Sequence, residues 1–301
     1  MIRRWIEQHA IFVVLLFECA VLTLTTDGFL TSNNLGNVLR QNAFTAVLAA
    51  GMTFVIISGA IDLSVGSIVG LAGVLCADLM ARGVGVGVAI SVGVLSGILI
   101  GALNGLAVTR LRIPAFVVTL AMMLIARGAA FKYTDARTIT GLPESFGLLS
   151  SGFAASAIMA VVFAASWLLL MRTAFGRHVY AVGGNVEAAA LSGVRVSRVQ
   201  RRVFLISGAC AGIAGVLVAS RLNAGYPRAG EFYELDAIAA VVVGGTSLFG
   251  GRGSIWGALG GAFFVGVLNN GLNLFRVSPY DQLMVKGAVL LVAASLDRSR
   301  R

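Results

Sequence analysis

The sequence predicts an all-α polytopic membrane protein of about ten transmembrane helices with an internal repeat, on three observations. Of 301 residues 58% are hydrophobic and only 12% charged, about half the roughly 25% charged share of a soluble domain. Apolar runs approaching the ~20 residues that cross a bilayer recur from end to end. The arginines gather at the ends of those runs, so the net charge of +10 reads as membrane topology. The lipid bilayer is the expected surrounding, and no nucleic-acid partner is expected.

The first run, 10–26, follows a basic start, but Glu18 interrupts it and no convincing A-x-A cleavage site follows. A retained helix is therefore expected in preference to a cleaved signal. Further runs lie at 42–58, 63–80, 84–108, 115–131, 153–171, 203–220, 235–249, 255–275 and 283–296. Cys19, Cys76 and Cys210 sit singly in apolar stretches with no C-x-x-C spacing, as packing residues do. The whole chain, 1–301, reads as one transmembrane domain whose longest polar stretch is 172–202.

Charge orients these spans. Arg3 and Arg4 precede the first, Arg110 and Arg112 follow the fourth, and Arg298, Arg300 and Arg301 follow the last. The 172–202 stretch holds Arg172, Arg177, Arg195, Arg198, Arg201 and Arg202 against the single acid Glu187. With ten spans all these basic segments fall on one side, which the positive-inside rule makes cytoplasmic. Both termini are then expected in the cytoplasm.

Two pairs of stretches suggest the repeat. "VGSIVG" (65–70) recurs as "RGSIWG" (252–257), and "GALNGL" (101–106) echoes "GVLNNGL" (266–272). Pro114 and Pro279 each follow thirteen residues after the first glycine of the second pair. Transporters are often built from such repeats, with broken helices in matching positions. The offset between matches differs for the two pairs, so one half carries an extra stretch.

Enzymatic chemistry is not visible. "GTSLFGGRG" from Gly245 has phosphate-loop glycine spacing, but Gly251 and Arg252 stand where Lys and Ser/Thr belong. His9 and His178 both lie outside the spans, so neither a zinc site nor a hydrolytic constellation can be assembled. No catalytic residue, metal or cofactor is expected, and an energy source must sit on another protein.

The 172–202 stretch contains "EAAALSG". Asn185 is a good N-cap and Gly193 a good C-terminal residue for a short helix over about 186–191. Such a helix could present small residues to another protein, or the segment could be a plain connector.

Glu187, Ala188, Ala189 and Gly193 resemble the EAA-type loop of ATP-binding-cassette importer permeases. Together with "GAIDLSVGSIVGL", "RTAFGRHVYAVGGNVEAAALSGV" and "AVVVGGTSLFGGRGSIWGALGGAFFVGVLNNGL", nearly the whole chain resembles the ribose/xylose/galactoside permease family of those importers. The resemblance implies a type II-like permease architecture in a bacterial inner membrane. It implies a second permease subunit, a pair of cytoplasmic ATP-binding subunits and a periplasmic sugar-binding protein. It also implies that Glu187, Ala188, Ala189 and Gly193 couple the chain to the ATPase, through 172–202 as a cytoplasmic coupling loop. The expected function is ATP-driven translocation of a monosaccharide such as ribose, xylose or galactose. The different-class alternative, a stand-alone channel or ion-coupled transporter for a small neutral solute, would want an ion-coordinating cluster. The ionisable residues Glu18, Asp62, Asp78, Arg127 and Lys286 are instead scattered.

The family's GxIDLSVGS stretch carries over to Gly59, Ile61, Asp62, Leu63, Ser64, Val65, Gly66 and Ser67. A carboxylate at the bilayer centre costs about 2.5–3.5 kcal/mol on insertion scales, so it faces the bundle interior, pairs or caps. Asp62 either lines the polar path with Ser64 and Ser67, or follows a break after Gly59 and caps the next helix. Gly59, Asp62, Ser64, Gly66, Ser67, Asn104, Asn269 and Asn270 are the candidates for translocation path or helix break.

Overall fold

The computed structural model describes residues 2–151 and 153–298, with side chains between Ala10 and Ser295. Arg300 and Arg301, and the side chains of Arg3, Arg4 and Arg298, lie outside the described residues. The first half runs α1 (Ile2–Thr25), α2 (Ser32–Ile57), α3 (Val65–Ala81), α4 (Val86–Arg110), α5 (Ala115–Thr134) and the one-turn α6 (Glu144–Gly147). The rest is α7 (Ala154–Arg172), α8 (Ala174–Gly184), α9 (Val186–Leu191), α10 (Val196–Leu222), α11 (Tyr233–Val243), α12 (Ile255–Leu274) and α13 (Pro279–Arg298). Six of these, α2, α4, α5, α7, α10 and α12, are long and apolar enough to cross a membrane. Ala10–Thr25 of α1 and Val65–Ala81 are shorter apolar helices.

The run read as a span over 235–249 holds a helix of only half that reach. α11 ends at Val243 after 11 residues, a rise of about 16 Å, roughly half of a ~30 Å hydrocarbon core. Its apolar character continues past Val243, but Gly244 and Gly245 (φ +88°) stop the helix. The chain then turns through Gly250 and Gly251 until Ser254, accepting from the Gly257 amide, caps α12. Helices α2 and α10 exceed their apolar runs because the polar turns Ser32–Gln41 and Val196–Arg202 are helical too.

α2 and α10 form the centre of the bundle, 89% and 78% of their apolar stretches being buried, against 22–28% for α4, α5 and α7. α4 lies directly on α10 because both present glycine there. Gly97 and Gly101 face Gly208 and Gly212, and a Cβ on Gly97 would run into the Gly208 carbonyl oxygen. Such small-residue seams drive association where lipid competes equally for apolar side chains. The outward faces carry Leu95, Leu99, Phe116, Leu124 and Val161, as a surface wetted by hydrocarbon would.

The paired stretches 65–70 and 252–257 open α3 and α12, while 101–106 and 266–272 lie near the ends of α4 and α12. The two matches thus fall on two helices of the first half and on one of the second. Within 172–202, α8 precedes α9; the sequence reading had only the shorter helix there.

Candidate functional site

α2 ends where Gly59 takes a left-handed backbone (φ +82°), and residues 58–64 leave the helix before α3 begins. Asp62 in this break is fully buried. Its Oδ1 accepts from the Ser64 amide at 3.0 Å and the Ser64 hydroxyl at 2.6 Å, and its Oδ2 from the Ser207 hydroxyl of α10 at 2.8 Å. Ser64 Oγ in turn accepts from Asn104 Nδ2 of α4 at 2.9 Å. One carboxylate therefore joins the break to both neighbouring helices. It engages a single α3-side amide, that of Ser64, and Ser64 itself holds the N-cap position without a side-chain cap bond. Asn104 Oδ1 is buried and makes no hydrogen bond.

The structure thus brings Gly59, Asp62, Ser64 and Asn104 together. Gly66 and Ser67 are buried in the first turn of α3, Gly66 lying against Gly230 and Glu234. Asn270 is elsewhere: it exchanges two hydrogen bonds, of 3.0 and 2.8 Å, with Asn34 in the first turn of α2. Asn269, beside it on α12, keeps a buried Oδ1 with no partner. Asp62 and the Asn34–Asn270 pair stand at opposite ends of α2, a 26-residue helix about 39 Å long. Asn104 lies in the last two turns of α4, before Arg110 and Arg112, so Asp62 sits toward the basic end of the bundle.

Three glycine-bearing segments meet beside the break. The Gly251 amide donates to the Ile57 carbonyl at 2.9 Å, and the Tyr180 hydroxyl of α8 donates to the Gly253 carbonyl at 2.8 Å. Gly183 of α8 packs so closely that a Cβ there would overlap the Ile57 carbonyl oxygen. Helix α9 extends from this junction. Asn185 Oδ1 accepts from the Ala188 amide at 2.8 Å, and Gly193 (φ +82°) closes the other end as the Val194 amide returns to Ala189 O at 3.0 Å. Ala189 is buried beneath the helix, whereas Glu187 and Ala188 are exposed and Leu191 is 91% exposed.

This arrangement supports mechanical linkage: an exposed short helix is rooted, through backbone contacts, on a helix break whose carboxylate holds α10 and α4. Among the described residues no group of three or more His, Cys, Asp or Glu could hold a metal ion. Ser207, Tyr180, Gly183 and Gly251 were not picked out as site residues from sequence. A serine, tyrosine or glycine in such a chain carries no local signal of a contact made far away.

The sequence pattern of the family described as "Branched-chain amino acid transport system / permease component" matches residues 34–294. The ribose import permease protein RbsC of Bacillus subtilis (strain 168) is 46% identical over 296 residues, 96% of this chain and 92% of that protein. Ribose import permease protein RbsC of Escherichia coli (strain K12) is 41% identical, covering 99% and 96%. The xylose transport system permease protein XylH of the same strain is 39% identical, covering 97% and 91%. No solved structure matches the chain.

Proposed function

The chain belongs to the family of branched-chain amino acid transport system permease components, and from this we propose that it is the membrane-spanning subunit of an ATP-driven sugar importer. The observation that carries the reading is likeness along nearly the whole chain to ribose and xylose import permeases. The chain is a translocation subunit, and hydrolysis belongs to a separate ATPase; a binding protein delivers the monosaccharide. We place the complex in a bacterial inner membrane, with a second permease subunit, identical or different, and two ATPase subunits.

In this reading ten helices enter the membrane: the six long ones, the shorter α1 and α3, the half-length α11, and α13. The arginine-rich ends and the 172–202 segment face the cytoplasm, as do both termini. Helix pairing supports the repeat. α2 packs on α12 and α11 as α10 packs on α4 and α3, and α3 meets α4 and α5 as α11 meets α12 and α13. This sets α2–α5 against α10–α13, so the Gly-Ser-Ile likeness between α3 and α12 is one of composition.

The coupling surface is α9. Its exposed Glu187, Ala188 and Leu191 meet the ATPase, Ala189 packs the helix down, and Gly193 lets the chain turn back. Movement of α9 reaches Asp62 through Gly183 and the 244–254 loop, giving alternating access. Reconstitution tests the whole reading. The chain alone in liposomes should neither accumulate ribose nor respond to a proton or sodium gradient. With its ATPase and binding protein, uptake should appear and depend on ATP. Gradient-driven accumulation by the lone chain would overturn it.

A further inference from the structure

Between α10 and α11 the chain descends into the bundle without helical structure. Gly225 lies against Ala77 of α3, the Pro227 and Ala229 carbonyls against Gly70, and Gly230 against Gly66 and Val69. Its neighbours on α3 thus step back about three helical turns before α11 begins. An antiparallel bridge between Ile139 and Gly225 ties the upper end.

Non-helical backbone at membrane depth must be buried in protein or line water, because hydrocarbon offers no partner for its polar groups. One side of this segment meets that condition through Arg127 of α5. Its Nη1 donates to the carbonyls of Pro227 and Ala229 at 2.7 and 2.8 Å, and its Nη2 to that of Gly66 at 3.2 Å. The other side is open. Tyr226 and Phe232 are 41% and 47% exposed. The side chains of Arg228 and Glu231, 3.8 Å apart, remain 63% and 45% exposed. Phe232 also holds a left-handed backbone (φ +67°), a conformation that is strained for a bulky residue and clusters at functional positions.

Lipid cannot cover this wall, since charged side chains facing hydrocarbon are expensive. A dry contact with a second copy would bury a loosely paired Arg228–Glu231 at a desolvation cost its geometry does not offset. We infer that Tyr226, Arg228, Glu231 and Phe232 line the water-filled path and touch the solute during passage. The solute it suits is neutral and polyhydroxylated: Arg228 and Glu231 exchange hydrogen bonds with hydroxyl groups, and the Phe232 ring takes the C–H face of a sugar. This rests on the importer reading above, and Arg127 acts only as the positioning residue that holds the wall against α3.

The test uses the complete complex in liposomes, with Cys19, Cys76 and Cys210 replaced by alanine. Phe232→Cys and Glu231→Cys are probed with a charged, water-soluble maleimide, and Leu99→Cys on the outer face of α4 serves as the lipid-facing reference. Both wall positions should label and Leu99→Cys should not. Ribose supplied with its binding protein and ATP should slow the wall labelling about twofold when solute occupies the path half of the time. Labelling only by a lipid-soluble maleimide, or rapid cross-linking between copies that ribose leaves unchanged, would overturn the inference. So would labelling indifferent to ribose in vesicles that import it. ATP-driven ribose uptake by the cysteine-free complex is measured in the same vesicles, so failure of the importer reading is seen separately.

Discussion

Ser207 donates its hydroxyl to Asp62 Oδ2 at 2.8 Å, joining residues 145 positions apart. Removing this donor leaves the carboxylate the Ser64 amide and hydroxyl, so Ser207→Ala should cost about 1–3 kcal/mol. Asp62→Ala strands buried donors from both Ser64 and Ser207 and should cost more, with uptake falling alongside stability. Thermal unfolding of the purified chain and ATP-driven uptake measure the two effects. If Ser207→Ala abolished uptake while leaving stability untouched, the carboxylate would be serving the solute rather than the helices.

A paired substitution tests the glycine junction. Gly183→Ala would push a methyl into the Ile57 carbonyl, whereas a Cβ on Gly184 meets nothing within 4 Å. The first should cost about 1–3 kcal/mol by overpacking and lose uptake. Gly184→Ala should be near neutral in both respects. Equal behaviour of the two variants would remove the junction from the coupling route.

Leu191 offers a cleaner probe of the docking surface. It is 91% exposed, so Leu191→Asp should change stability by no more than about 0.5 kcal/mol. Co-purification of the ATPase should nevertheless be lost. Gly193→Leu should lose it too, although φ +82° adds a backbone cost in this chain as well. An intact complex with Leu191→Asp would show that the ATPase docks elsewhere.

Tags give the orientation. A reporter near Arg198 should be cytoplasmic, and one beside the exposed Gly141 should be on the opposite side. A periplasmic signal near Arg198 would overturn the orientation and the coupling assignment with it.

Lys286 of α13 reaches both carboxylate oxygens of Asp236 on α11 at 3.0 Å. Lys286→Met leaves that buried carboxylate uncompensated and should cost about 3–5 kcal/mol, whereas Lys286→Met combined with Asp236→Leu should recover most of it. Unfolding midpoints of the two variants make the comparison. A double variant no better than the single would mean that the pair does more than balance charge.

Much of the bundle could be read because apolar runs and membrane helices share a length, and the Asn185 and Gly193 signals framed α9. Near Asp62 the sequence singled out Ser64 and Ser67, and of the two the structure bonds Ser64 to the carboxylate. Ser207 was not legible: a serine in an apolar helix looks alike whether it faces lipid, a carbonyl or a carboxylate. The half-length of α11 was hidden because Val241–Val243 and the glycines after them continue an apolar run. The course of the 223–232 segment was hidden as well. Its charges suit a wetted surface, but only the fold shows that the segment runs back along α3.

α1 finds its main partner in α12, where Gly260 receives Ile11 and Gly271 receives Leu22. Residues 26–254 separate the two helices, which at about 5–20 residues per second is roughly 10–50 s of synthesis. For that interval α1 lacks this main docking surface. In the topology proposed above, its direction across the membrane is then set by the charges of its own flanks, ahead of that packing. A substitution that reverses α1 would act during translation, on an orientation that α12 arrives too late to correct.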